Sequence, residues 1–274
     1  MRPDISIIIP VFNAQDTLKT SIKSIINQKY KYIKPKIEII LSLDDNKEYE
    51  ELTKINNENV KIKIVKTNKQ ASGPGNARNQ GIKISRGKYI GFLDADDSYS
   101  SHYIEEMLDL VKKKGIAIAP THVFKNHKRL MVFKGNKNNM LTINDISDNP
   151  CSYHPMINRK KIKYFEDKPS QDIYNLSKIL NKRSVSIIKH GYYILNIKKN
   201  SLTRKKNFYH NINLAYKFYQ IKSLKEKKLK IARQFAIRRI LNRKYLIWSR
   251  GNENKSYYEF IQGLENEKKK YLCI

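Results

Sequence analysis

Two spacings of apolar residues alternate along the first part of the chain. Ile5-Ser6-Ile7-Ile8-Ile9, Ile37 to Leu43, Val60 to Val65 and Tyr89 to Leu93 are short apolar runs bounded by polar residues, Pro or Gly. Such runs read as strands, and where nearly every residue is apolar, as strands covered on both faces. Between them, apolar residues recur at helical intervals. Leu18, Ile22, Ile25 and Ile26 mark one helix, with Asn13 or Asp16 as its expected cap. A short helix is expected around Glu48–Ile55. A Ser72-Gly73-Pro74-Gly75 turn then leads into a helix ending at Ser85, with Asn76 as its expected cap. Ser101 to Lys114 is amphipathic through Ile104, Met107, Leu108 and Val111. Strand-helix-strand alternation with short connections predicts right-handed crossovers, and hence an α/β fold with a mostly parallel, Rossmann-like sheet and helices on both faces.

Further along, Ile116 to Ala119 and Thr121 to Phe124 read as strands, and Leu130 to Phe133 as a hairpin partner. Residues 134–150 are rich in Asn and read as loop. A helix follows over Asp172 to Leu180, with Ile173, Leu176, Ile179 and Leu180 inward. Strands are expected at Val185–Ile188 and Tyr192–Ile197. The character changes near residue 205. Between Lys198 and Arg250 there are 17 Lys or Arg and one acid, Glu226, while apolar residues persist at helical intervals. The expected organisation is therefore a domain over 1–205 and a basic helical extension over 206–274.

Composition narrows the classes. Hydrophobic residues make up 40% of the 274, with 18 Tyr, which excludes a disordered chain. The formal charge of +30 favours nucleic acid, anionic membrane surfaces or phosphorylated ligands as partners. Cys151 and Cys273 form neither a disulfide framework nor a metal pattern, which suits a reducing compartment. The run Ile5–Ile9 stops at Pro10 and is too short for a secretory signal. No stretch reaches the roughly 20 apolar residues of a membrane span. The expectation is a cytoplasmic protein, peripheral at most at the inner face of the membrane.

The chemistry concentrates after the fourth apolar run. Tyr89-Ile90-Gly91-Phe92-Leu93 ends abruptly in Asp94-Ala95-Asp96-Asp97. Ligands of α/β sheets bind beyond the carboxyl ends of the strands. Three carboxylates there repel one another unless a cation intervenes, and a hard divalent ion that also holds substrate phosphates is the simple answer. The second run also ends in acid, at Asp44-Asp45. Arg78 is expected in the first turn of its helix, where a cation opposes the helix dipole and so suggests an anionic partner.

Ser6-Ile7-Ile8-Ile9-Pro10-Val11-Phe12-Asn13-Ala14, the acid-ended second strand, Gly75-Asn76-Ala77-Arg78-Asn79-Gln80-Gly81-Ile82 and Gly87 to Asp97 occur in that order. Together they resemble the family 2 glycosyltransferases, inverting enzymes of the GT-A fold. The resemblance is strong over residues 4–120 and weaker to about 205. It implies a nucleotide pocket lined by Pro10, Val11, Phe12 and Asn13, and a nucleobase contact at Asp44. Here Leu43-Asp44-Asp45-Asn46 replaces the usual two acids followed by Gly-Ser, and Asp45 could substitute. It also implies Arg78 near the nucleotide, Asp94 and Ala95 at the ribose and donor, and Asp96 with Asp94 on Mn²⁺ or Mg²⁺. Inversion further needs a base opposite the leaving diphosphate. The family uses an Asp at a helix start, usually preceded by Glu. Asp167, in Phe165-Glu166-Asp167, carries the usual dipeptide. Asp172, in Ser170-Gln171-Asp172, starts a helix, and the register of the following elements favours it.

Each residue has a plainer reading. Asp172 can simply suit its helix's first turn, Asp44 and Asp45 can form turns, Arg78 can pair with an acid, and Asp96 or Asp97 can cap a helix. His154, beside Tyr153 and before Pro155, reads first as structural, with acceptor contact as the alternative. The resemblance implies a nucleotide-sugar donor, a UDP-sugar, and a glycan or lipid-linked glycan acceptor. The basic helices add an anionic membrane surface as partner. A charge-driven nucleic-acid-binding protein is the rival class, but no nucleic-acid module is recognisable and none is expected as partner. A nucleotidyltransferase would want a Gly-rich loop early in the chain, and Pro10–Gln15 has no glycine. A catalytically impaired relative is the remaining alternative.

Overall fold

In the computed structural model the described residues are 2–32, 34–55, 57–147, 153–197, 207–253 and 255–272. The chain runs β1 (Ile5–Val11), α1 (Gln15–Ile26), β2 (Ile37–Leu43), a 3₁₀ turn (Glu50–Lys54), β3 (Val60–Lys66), α2 (Pro74–Ile84) and β4 (Tyr89–Phe92). Then come β5 (Ser98–Tyr99), α3 (Tyr103–Lys114), β6 (Ile116–Ala117), β7 (Thr121–Lys125), β8 (Lys128–Phe133), β9 (Met140–Leu141) and β10 (Met156–Asn158). The rest is α4 (Gln171–Leu180), β11 (Val185–Ser186), β12 (Tyr193–Ile197), α5 (Phe208–Lys225), α6 (Leu229–Trp248) and α7 (Tyr257–Leu272).

The main sheet has the order β3-β2-β1-β4-β10-β6. Its first four strands are parallel, as the pattern predicts. β10 runs against both β4 and β6, so the sheet is mixed at one side. A three-residue strand after Pro155 is too short for any periodicity to announce. A second sheet, β5-β12-β7-β8, carries the expected hairpin. β9, inside the stretch expected to be loop, pairs with β11.

Several local expectations need correction. α1 begins after Ala14, with no side-chain cap from Asn13 or Asp16. Asn13 instead takes a left-handed φ of 51°, because its N–H donates to the Asp45 carboxylate and the chain must turn there. Asn76 does not cap α2. Gly73, at φ 94°, holds the cap position, and Pro74 starts the helix where its fixed φ and missing N–H cost nothing. The short helix near residue 50 is a 3₁₀ turn.

One apolar cluster joins α1 and α3 to one side of the main sheet around Ile7, Leu41 and Leu93. A second joins β7, β8 and α4 to α5, α6 and α7 around Tyr174, Tyr219 and Phe235. The C-terminal helices therefore bury their inner-face apolar residues in the same core as the second sheet. The expected boundary at 205/206 lies outside the described residues, as do both cysteines. No helix among the described residues is long and apolar enough to cross a membrane.

Candidate active site

β4 is wholly buried, and the chain beyond it folds into a tight turn at Asp94–Asp97, closed by the Asp97 N–H donating to the Asp94 carbonyl at 3.1 Å. Two groups on α1 hold the turn from below. Thr17 Oγ1 and Ser21 Oγ donate to the Ala95 carbonyl at 2.7 and 3.0 Å. β12 holds it from the side. Tyr193 Oη accepts from the Asp94 N–H and donates to Asp97 Oδ2 at 2.8 Å, and the Asn196 N–H donates to Asp97 Oδ1 at 2.9 Å. Asp97 is thus a buried anchor of the turn and not a helix cap. Asp94 and Asp96 are half-buried at its rim.

Asp94 is gripped by two side chains. Arg78 Nη2 donates to its Oδ1 at 2.5 Å, and His154 Nε2 lies 3.4 Å from its Oδ2. Burial alone would raise the Asp94 carboxyl, yet Arg78 and His154 hold it well below the usual carboxylate range. Asp97 goes the other way: burial, then the neighbouring Asp96 and Asp94, push it well up. Arg78 is only 3% exposed. Burial would lower its pKa, but Asp94 and then Asp172 more than offset this, so the guanidinium stays charged. Because α2 starts at Pro74 and not after Asn76, Arg78 falls beyond the first turn in which the sequence pattern puts it. Its anionic partner within the chain is set by the fold and not by the helix end: it is Asp94.

Asp172 enters the site from α4, where it is half-buried on the first turn. The segment before α4 is fixed against α2. Asn79 holds Phe165 by two bonds, Nδ2 donating to its carbonyl at 2.9 Å and Oδ1 accepting its N–H at 2.8 Å. The Phe165 ring packs edge-on to Phe92 at 5.2 Å and lies under the Arg78 guanidinium. Gly75 admits this close approach, since a Cβ there would sit 2.5 Å from the Glu166 carbonyl oxygen. Glu166 is tied outward to Lys222 of α5 at 2.6 Å. Asp167, three residues before the Ser170 cap of α4, is exposed.

On the other side of β1, Asp44 is buried and accepts four bonds. Thr67 Oγ1, the Ser72 N–H and Ser72 Oγ reach Oδ1, and the Gly73 N–H reaches Oδ2 at 2.8 Å. Asp45 accepts from the Asn13 N–H and from Tyr49 Oη at 3.0 Å. Both acids therefore hold loops. Asp44 fixes the path into α2, and Asp45 fixes the β1–α1 turn. Val11 is buried, Pro10 half-buried and Phe12 38% exposed at the end of β1.

A family model described as glycosyl transferase family 2 matches residues 6–169, a span that contains the turn, Arg78 and the loops around them. The chain belongs to glycosyl transferase family 2. Among curated relatives, it is 31% identical over 113 residues to the Escherichia coli UDP-Glc:alpha-D-GlcNAc-diphosphoundecaprenol beta-1,3-glucosyltransferase WfgD, covering 41% of this chain and 43% of that one. It is 35% identical over 127 residues to the Bacillus subtilis (strain 168) minor teichoic acid biosynthesis protein GgaA, covering 43% of this chain and 27% of that one. The match spans less than half the length of either relative. Among solved structures, S. aureus TarS 1-349 aligns with a TM-score of 0.64 at 15% identity, over 91% of this chain and 73% of that one. TarS 1-349 in complex with UDP-GlcNAc aligns at 0.58 with 14% identity, over 78% and 65%. The likeness to TarS is one of fold, and the GT-A architecture read from the sequence is the architecture found.

In this family 2 protein the Asp94–Asp97 turn offers hard oxygen donors from a single strand end. The described residues hold no group of three or more His, Cys, Asp or Glu placed to bind a metal ion by themselves. A divalent ion that keeps one or two carboxylates and completes its shell with phosphate and water fits such a set. Burial first, and then the charges of Asp96 and Asp94, push the Asp97 carboxyl up, so negative charge is crowded at this turn. Asp94 has each oxygen beside a basic side chain, Arg78 on one and His154 on the other. Sequence reading did not find Tyr193, Asn196 and Asn79, whose roles depend on partners 86 to 100 residues away. It noted His154 but had no signal for its place against Asp94.

Proposed function

We propose that this chain is an inverting, metal-dependent glycosyltransferase. It moves a sugar from a nucleotide donor, a UDP-sugar, to a hydroxyl of a glycan acceptor in surface polysaccharide or lipooligosaccharide synthesis. One observation carries the reading: buried Arg78 is bonded to Asp94 at the end of β4 and also feels the charge of Asp172 on α4. The donor-side carboxylate bonds this cation and the base-side carboxylate acts on it through charge, at the carboxyl end of the sheet, where ligands of such folds bind.

In this reading Pro10, Val11, Phe12 and Asn13 border the nucleotide, and Asp44 and Asp45 shape its pocket by holding the loops around it. Mn²⁺ or Mg²⁺, when bound at Asp96 and Asp94, supplies positive charge to the departing diphosphate. Asp172 accepts the acceptor hydroxyl's proton as oxygen attacks the anomeric carbon from the opposite side. Asp172 is preferred to Asp167 because it is half-buried near Arg78, while Asp167 is exposed. An α-linked donor sugar then gives a β product. The UDP ligands of the TarS structures and the donor in WfgD's name support a UDP-sugar. The lipid-diphosphate in WfgD's name supports a lipid-linked glycan acceptor and action at the inner face of the cytoplasmic membrane. The test is turnover against a panel of UDP-sugars and glycan acceptors. Asp172→Asn abolishes turnover while leaving UDP binding intact, and Asp167→Asn keeps it. The opposite pattern moves the base to Asp167.

A further inference from the structure

α5 and α6 form an antiparallel pair: Tyr209 packs on Tyr245 near one end, and Tyr216 on Phe235 nearer the turn. Their inner faces are buried in the second core cluster. Their outer faces are unusual. Leu214, Phe218, Ile221 and Leu224 on α5, and Ile240 and Ile247 on α6, are between 37% and 69% exposed. On α5 the spacing of four and three residues places them in one stripe, and seven residues separate the pair on α6. Gln220 and Arg239 bond each other at 2.6 Å across the pair. Each lies roughly a third of a turn from its helix's exposed stripe, in the same rotational sense. In an antiparallel pair this turns both stripes to the same side. Cations border them: Lys217 and Lys225 on α5, and Arg233, Arg243 and Lys244 on α6, are exposed. Glu226 is the one acid from Asn207 to Arg250.

We infer that this face of the α5–α6 pair docks onto an anionic phospholipid bilayer, with the apolar stripe entering the interface and the cations meeting headgroup phosphates. Interleaved apolar and basic residues on a helix surface suit that partner. A nucleic acid would use the cations but leave the apolar stripe in water. A second copy of the chain would set cations against cations. The docking also ties the membrane-bound helix to the sugar-transfer site, and on this point it rests on that reading. α5 is bonded to the segment before Asp172 through Lys222–Glu166 and through Tyr219 Oη to the Lys168 carbonyl. Tyr219 is fully buried, about half a turn from the exposed stripe, so a membrane on that stripe and the segment before Asp172 lie on opposite faces of the same helix.

The test is co-sedimentation of the full chain with phosphatidylcholine vesicles, with and without phosphatidylglycerol. Binding is expected only with the anionic lipid, falling as salt rises. Lys217→Glu with Lys225→Glu should weaken it by roughly fivefold or more per cation. Leu214→Ser with Ile221→Ser should also weaken it. Both variants replace exposed residues and should melt like the parent and keep its UDP binding, so a failure of docking is read separately from a failure of the enzyme reading. Equal binding to uncharged vesicles, unchanged binding of both variants, or a dimer that both variants dissociate would overturn the inference.

Discussion

Replacing Arg78 with Met removes the cation against which Asp94 is held. The side chains meet at 2.5 Å, with Arg78 3% and Asp94 33% exposed. Opposite unit charges about 4 Å apart attract by about 4 kcal/mol at the effective dielectric of a site near the surface. Water reaching Asp94 screens part of that, and His154 still engages its other oxygen. Losing one partner of a buried pair is costly because the other is left unpaired, so we expect a loss of about 2 kcal/mol, or roughly 4–8 °C in Tm for a chain of this size. Arg78→Lys keeps the charge but not the planar fork and should fall between. The assay is thermal unfolding of wild type, Arg78→Met, Asp94→Asn and the double variant. Because the charge left behind by Arg78→Met is on Asp94, neutralising Asp94 should recover stability, giving a coupling of about 1–2 kcal/mol. Additive losses, or an Arg78→Met protein that melts like the parent, would refute the pairing as the basis of the site.

Three further outcomes follow from named contacts. Gly75→Ala puts a Cβ 2.5 Å from the Glu166 carbonyl, so it should displace the segment before α4 and lower kcat more than KM, in steady-state assays of the variant. Tyr193→Phe removes the hydroxyl that bonds both Asp94 and Asp97. It should cost about 1–3 kcal/mol by urea unfolding, because two buried groups lose a partner. Burial would raise Glu38, but Lys63, Ser6 and the Arg86 N–H together hold it below the usual range. Its folded pKa is depressed, so its contribution is full above the unfolded value of about 4.3 and is lost as pH falls through the folded pKa. Glu38→Gln should therefore flatten the stability curve below about pH 5, and an unchanged acid limb would contradict the assignment.

Much of the parallel half of the sheet was legible because β1, β2 and β4 are covered on both faces, so their sequences are continuous apolar runs. The acidic turn was legible for the same reason: carboxylates stand out immediately after a buried strand. What escaped was set by distant contacts. β10 owes its existence to the edges of β4 and β6, and three residues carry no period. His154 gives no sign in its own neighbours that it reaches Asp94. The caps of α1 and α2 were misplaced because the loops before them are fixed by Asp45 and Asp44, acids from the adjacent strand end, and not by local side chains. Asp44 and Asp45 themselves stood out as acids, but only the fold reveals that their oxygens are engaged with protein donors.

In the proposed function, the turn after β4 holds a divalent ion that carries a nucleoside diphosphate. The most direct test is calorimetric titration of UDP into wild type and Asp96→Ala, with and without Mn²⁺. The account predicts that Mn²⁺ strengthens UDP binding to the wild type by about tenfold or more, a gain of about 1.4 kcal/mol or greater, and that Asp96→Ala loses this gain. UDP binding indifferent to Mn²⁺, or a gain that survives in Asp96→Ala, would contradict it.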